Sequence, residues 1–92
     1  MLWTDIRKAY PNKWLVIEAI KAHTTNNQRK LEEIAVIEVC QDGNTAMNRY
    51  RKLHTQMPGR ELYFVHTSRT DLDIRERQWV GIRRGNAITV EG

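Results

Sequence analysis

Two carboxylates stand where acids are unusual. Glu18 follows the apolar run Trp14-Leu15-Val16-Ile17, and Glu38 follows Ile34-Ala35-Val36-Ile37. Side chains alternate along a strand, which puts both acids on the same nominal face. If the strands bring them together, repulsion raises one carboxyl pKa, and such a pair can do general acid–base work. The simpler expectation is that each acid is solvated or paired with an arginine such as Arg75 or Arg77 crossing that face. Cys40 with His66 is a second candidate, as a thiolate pair for nucleophilic catalysis. Against it, no helix begins immediately after Cys40 to lower its pKa, and a lone cysteine in an apolar strand is ordinarily a small core residue. His23, His54, His66 and Cys40 are the soft metal ligands available. No two have the close spacing of a zinc motif, so no metal or other cofactor is expected. The chain has no glycine-rich phosphate loop and no nucleophile elbow. An enzyme built on Glu18/Glu38 or Cys40/His66 is therefore the third-ranked reading.

Fifteen Lys and Arg face eleven Asp and Glu, a net charge of +4 that permits an acidic partner without requiring one. Between Gly43 and Gly59 stand Arg49, Arg51 and Lys52 with no acid, and Arg83 and Arg84 close a second basic cluster around Trp79. Arginine and aromatic residues together grip phosphates and stack bases. Asp71, Asp73 and Glu76 are interleaved with that second cluster, and no helix-turn-helix or RNP motif is present. Nucleic-acid binding through Arg49, Arg51, Lys52, Arg83 and Arg84 is the second reading.

The elements that must position these residues follow from pattern. Ninety-two residues, 40% hydrophobic and 28% charged, predict one globular domain over 1–92. No apolar run approaches a membrane span, and Met1–Tyr10 carries Asp5, Arg7 and Lys8 rather than a signal-peptide core. With a single cysteine, these features predict a cytoplasmic protein. A short helix is expected over Thr4–Tyr10, capped by Thr4 and ended by Pro11. Strands are expected over Trp14–Ala22 and Glu33–Cys40, joined by a long polar loop from His23 to Lys30. Asn44 is expected to cap a helix over Thr45–Gln56, where Ala46, Tyr50, Leu53 and Met57 form one apolar stripe. Pro58-Gly59 ends it, and Glu61–Thr67 is a third strand. Ser68–Asp73 reads as a polar connection, with further strands over Gln78–Arg83 and Ala87–Val90. The fold class is α+β, of order α-β-β-α-β with a terminal hairpin.

The segment Tyr10-Pro11-Asn12-Lys13-Trp14-Leu15-Val16-Ile17, and the later Pro58-Gly59-Arg60-Glu61-Leu62-Tyr63-Phe64-Val65, resemble a family of small bacterial domains of unknown function. Those domains have a β-hairpin–helix–strand layout. The resemblance runs from Tyr10 to Thr67, implies that layout and transfers no active site.

Both faces of the predicted hairpin are apolar. Leu15, Ile17, Ile37 and Val39 are the expected seat for both helices, which leaves a second face needing cover. The C-terminal segment with Ile74, Trp79 and Ile82 is one candidate cover, and a second copy or another protein is the other. The leading expectation is thus a non-catalytic interaction module, most simply a homodimer, with Trp14, Val16, Ile20, Ile34, Val36 and Trp79 at the interface.

Overall fold

The computed structural model describes residues 1–72, 74–76 and 88–90, with side chains through 72 and at Ile74. It confirms an α+β architecture, running α1 (Trp3–Ala9), β1 (Trp14–Thr25), β2 (Gln28–Cys40), α2 (Gly43–Gln56), β3 (Leu62–His66), β4 (Ile74–Glu76) and β5 (Ile88–Val90). The strands form one antiparallel sheet in the order β3-β1-β2-β4-β5. The expected strand at Gln78–Arg83 lies outside the described residues. Residues 68–72 are the expected polar connection, but the next strand, β4, begins at Ile74.

β1 and β2 are longer than their apolar runs. The expected His23–Lys30 loop is a tight turn: Asn26 and Asn27 adopt φ of 51° and 63°, and Thr25 pairs with Gln28. Two left-handed residues make the two-residue hairpin turn whose twist matches the strands, and asparagine tolerates that conformation better than most residues. The strand ends are polar because they project past the core, so no apolar alternation marks them.

Cross-strand partners share a face, so the register fixes both faces of the sheet. One carries the rows Val39-Leu15-Val65 and Val36-Ile17-Tyr63, with Ile34 opposite Ala19. The other carries Cys40-Trp14-His66, Glu38-Val16-Phe64 and Ala35-Glu18-Leu62. The first face packs against α1: Ile6, with Trp3 and Tyr10, closes over Leu15, Ile17, Ile34, Tyr63, Val65 and Ile74. The second packs against α2, where Ala46, Leu53, Tyr50 and Met57 meet Val16, Cys40, Leu62 and Phe64.

The helices therefore lie on opposite faces, not together on the Leu15 face. Cys40 points to the second face, and a link of only Gln41 and Asp42 drops α2 onto it. The second apolar face of the hairpin is covered by the main helix of the same chain.

Both helix starts differ from expectation. Asp42, not Asn44, caps α2: its Oδ1 accepts the Thr45 N–H at 2.7 Å, and the same helix-end amides hold its carboxyl below the usual range. Gly43 gives the Trp14 ring room, since a Cβ there would sit 3.1 Å from Trp14 Cζ2. α1 starts after Leu2, with no side-chain cap. Its approach is fixed instead by Met1, which pairs with Ile34 like a short strand: the α-ammonium donates to Ile34 O at 2.8 Å, and Ile34 N–H donates to Met1 O at 2.9 Å.

Candidate functional site

The two strand acids share the α2 face but do not meet as a dyad. Glu38 lies opposite Val16, and Glu18 lies opposite Ala35. Each has its own arginine. Arg49 Nε, from α2, donates to Glu38 Oε1 at 2.5 Å. Arg60, from the turn after α2, clamps Glu18 with two bonds, Nε to Oε2 at 2.8 Å and Nη2 to Oε1. Such a fork is the strong, two-bond geometry of an arginine–carboxylate ion pair. The paired-arginine expectation holds for both acids, with Arg49 and Arg60 as the cations.

Cys40 and His66 are also held apart. Trp14 pairs with Cys40 on one side and His66 on the other, so two strand spacings, about 9–10 Å, separate them. His66 lies edge-on to the Trp14 ring at 5.1 Å, and its Nδ1 accepts the Ser68 N–H at 3.1 Å. Burial pushes the Cys40 thiol up, and the neighbouring Glu38 carboxylate adds to the effect, so the thiolate is disfavoured. His23 meets Glu32 at 2.5 Å, and His54 stacks on Tyr50 at 5.6 Å. Among the described residues no three of His, Cys, Asp and Glu converge as a metal centre requires.

The expected interface residues do not form a surface. Val16 is 0% and Ile34 2% exposed, each inside a core cluster, and Val36 packs against the cluster under α1. Trp14 is half-buried against Gly43, Phe64 and His66. Of the set, Ile20 alone is well exposed, at 53%, where β1 departs from regular pairing, and Trp79 lies outside the described residues. Two causes combine: α2 covers the face carrying Trp14 and Val16, and the register irregularity at Ile37 turns Ile34 and Val36 onto the face that α1 covers.

The exposed apolar residues lie elsewhere. Ile37 is 38% and Val39 46% exposed, both on the last stretch of β2, and Met1 and Leu2 are exposed beside Ile34. Among the described residues, β4 pairs with β2 at Gln28 and Arg29, and Met1 pairs with it at Ile34. From Ala35 to Cys40, no main-chain group among the described residues bonds to the edge of β2 facing away from β1. Neither lysine nor proline guards this stretch, and its one charge, Glu38, is neutralised by Arg49. The beginning of β2, by contrast, carries Arg29, Lys30, Glu32 and Glu33. Natural sheets blunt open edges with charge or proline, so an unguarded apolar edge is a place where a further strand adds. The register irregularity that skips Ile37 was the feature sequence could not reveal, since it exposes a residue that plain alternation assigns to the core.

Of the cations proposed to bind nucleic acid, Arg49 is engaged with Glu38, whereas Arg51 and Lys52 are exposed on α2. Arg83 and Arg84 lie outside the described residues. Among the described residues no helix is long and apolar enough to cross a membrane. Comparison with protein-family models, curated proteins and solved structures finds no match to this chain.

Proposed function

We propose that this chain is a non-catalytic protein–protein interaction module of the reducing cytoplasm that forms a homodimer by pairing the free edge of β2 with its copy. The observation that carries this reading is the edge from Ala35 to Cys40, unbonded among the described residues and flanked by exposed Ile37, Val39, Met1 and Leu2. Two copies of one strand related by a twofold axis pair antiparallel, so the edge is complementary to itself. The separation of Glu18 from Glu38, and of Cys40 from His66, supports a binding role over a catalytic one.

The test is solution mass by light scattering after gel filtration, at low and high salt. A dimer at both salts is expected, because main-chain pairing and apolar contact are weakly screened. The double variant Ile37→Lys/Val39→Lys is expected to run as a folded monomer, with near-native circular dichroism. A monomeric wild type, or a variant that remains dimeric, would overturn the proposal. A monomer that binds mixed oligonucleotides with steep salt dependence would instead favour nucleic-acid binding through exposed Arg51 and Lys52.

A further inference from the structure

A cleft of about 800 Å³ opens between the start of α1, the beginning of β2 and the segment leading into β4. Its floor is apolar, formed by Leu31, Leu72 and Ile74 with Trp3 at one end. Among the described residues its wall is basic, carrying Arg29, Lys30 and Arg69 against one acid, Asp71.

These cations are not equivalent. Arg29 is committed to Glu61, with Nε to Oε2 and Nη2 to Oε1 both at 2.9 Å. Lys30 donates to the neutral side chain of Gln28 at 3.0 Å, which leaves its charge uncompensated. Arg69 is fixed through its main chain: its N–H donates to His66 O at 3.2 Å, and its carbonyl accepts the Trp3 indole N–H at 3.0 Å. Its guanidinium Nη1 is buried and has no hydrogen-bond partner. A buried donor on a charged group without an acceptor is costly and rare, and calls for an explanation.

We propose that the cleft binds a small organic monoanion, a carboxylate carried on an apolar body. The carboxylate supplies the acceptor that Arg69 Nη1 lacks, with Lys30 beside it, and the body lies on Leu31, Leu72 and Trp3. The charge of the wall selects a monoanion. Among the described residues, Arg29 is paired with Glu61 and Asp71 offsets one of the two remaining cations, which leaves a single positive charge. The apolar floor disfavours a bare inorganic anion, because such an ion leaves that floor without contacts.

The probe is phenylacetate, titrated into the whole isotopically labelled protein and followed by amide and indole NMR shifts, with inorganic phosphate as the second arm. Saturable shifts at the Trp3 indole, Lys30 and Thr70 are expected with phenylacetate, and affinity for phosphate about tenfold weaker or less. Arg69→Gln is expected to weaken phenylacetate binding about tenfold, since it removes a charge-assisted bond, and Lys30→Gln a few-fold. Arg51→Gln, on exposed α2, is expected to leave it unchanged. Dispersed spectra establish that each variant is folded. If Arg69→Gln fails to fold, unchanged binding in Lys30→Gln is sufficient to overturn the proposal. It is equally overturned by the absence of saturable Trp3 shifts, by equal affinity for phosphate, or by full affinity in a folded Arg69→Gln variant.

Discussion

Replacing Ile34 with alanine is expected to lower the free energy of unfolding by about 3 kcal/mol, the usual cost of truncating a fully buried isoleucine. Ile34 contacts the cluster of Ile6, Leu15, Ile17, Tyr63, Val65 and Ile74 that α1 closes. A domain of this length has a total stability of roughly 5–14 kcal/mol, so the loss is a large share of it. The main-chain bonds between Ile34 and Met1 survive the substitution, since they use no side-chain atom. The cost is therefore the cavity and the lost transfer energy, not release of the amino terminus. Urea denaturation at a protein concentration low enough to keep the chain monomeric reads the effect as a lower midpoint with an unchanged slope. Ile37→Lys/Val39→Lys is expected to do the reverse, changing association while leaving the monomer's midpoint near that of wild type. A native midpoint for Ile34→Ala, with weakened association, would place Ile34 at an interface after all.

That contrast shows what alternation can and cannot assign. The strands around Trp14–Ala22 and Glu33–Cys40, and the Ala46-Tyr50-Leu53-Met57 stripe of α2, are legible because each pattern is local and each side chain finds its core. Which face α2 takes is not local. It depends on the direction of Cys40 and the brevity of the Gln41-Asp42 link, and an error there turned the buried Val16 face into an apparent docking surface. The polar ends of the hairpin were illegible for a different reason: they bury little, so their composition resembles a loop, and only Asn26-Asn27 marks the turn. Pairing of Glu18 with an arginine was legible from the cost of an unpaired acid on an apolar strand. The choice of Arg60 was not, because 42 positions of sequence separate the two. The Arg69 cleft joins α1, β2 and the approach to β4, and no spacing within any one of these announces it.

The same non-local assembly produces the network around Glu61, whose loss is the other large effect expected. Glu61 accepts two bonds from Arg29, 32 positions away, and a third from the Tyr63 hydroxyl at 2.5 Å. Arg29 and Glu61 are both only about a quarter exposed, with side chains at 23% and 25%. Glu61→Ala leaves a mostly buried guanidinium without its carboxylate and a buried phenol without its acceptor. Removing one member of a buried pair costs about 3–5 kcal/mol, and the partial exposure here brings the expectation to about 2–3 kcal/mol. Hydrogen bonding to Arg29 holds the Glu61 carboxyl below its usual range, against the opposing effect of burial, with Tyr63 assisting. A carboxyl with a lower pKa folded than unfolded stabilises the fold at every pH above its unfolded value, about 4.3, and loses that contribution as pH falls through the folded value. Wild-type stability should therefore fall with acid below about pH 4 more steeply than that of Glu61→Gln, which keeps the shape but cannot ionise. Urea midpoints measured for both proteins from neutral pH down into that range would show two curves, widely spaced at neutrality and converging in acid. Parallel curves would mean that the Arg29–Glu61 contact is too well hydrated to stabilise the fold. In that case the hold on β2 beside its turn would come from the main-chain pairing of Arg29 with Ile74 rather than from charge.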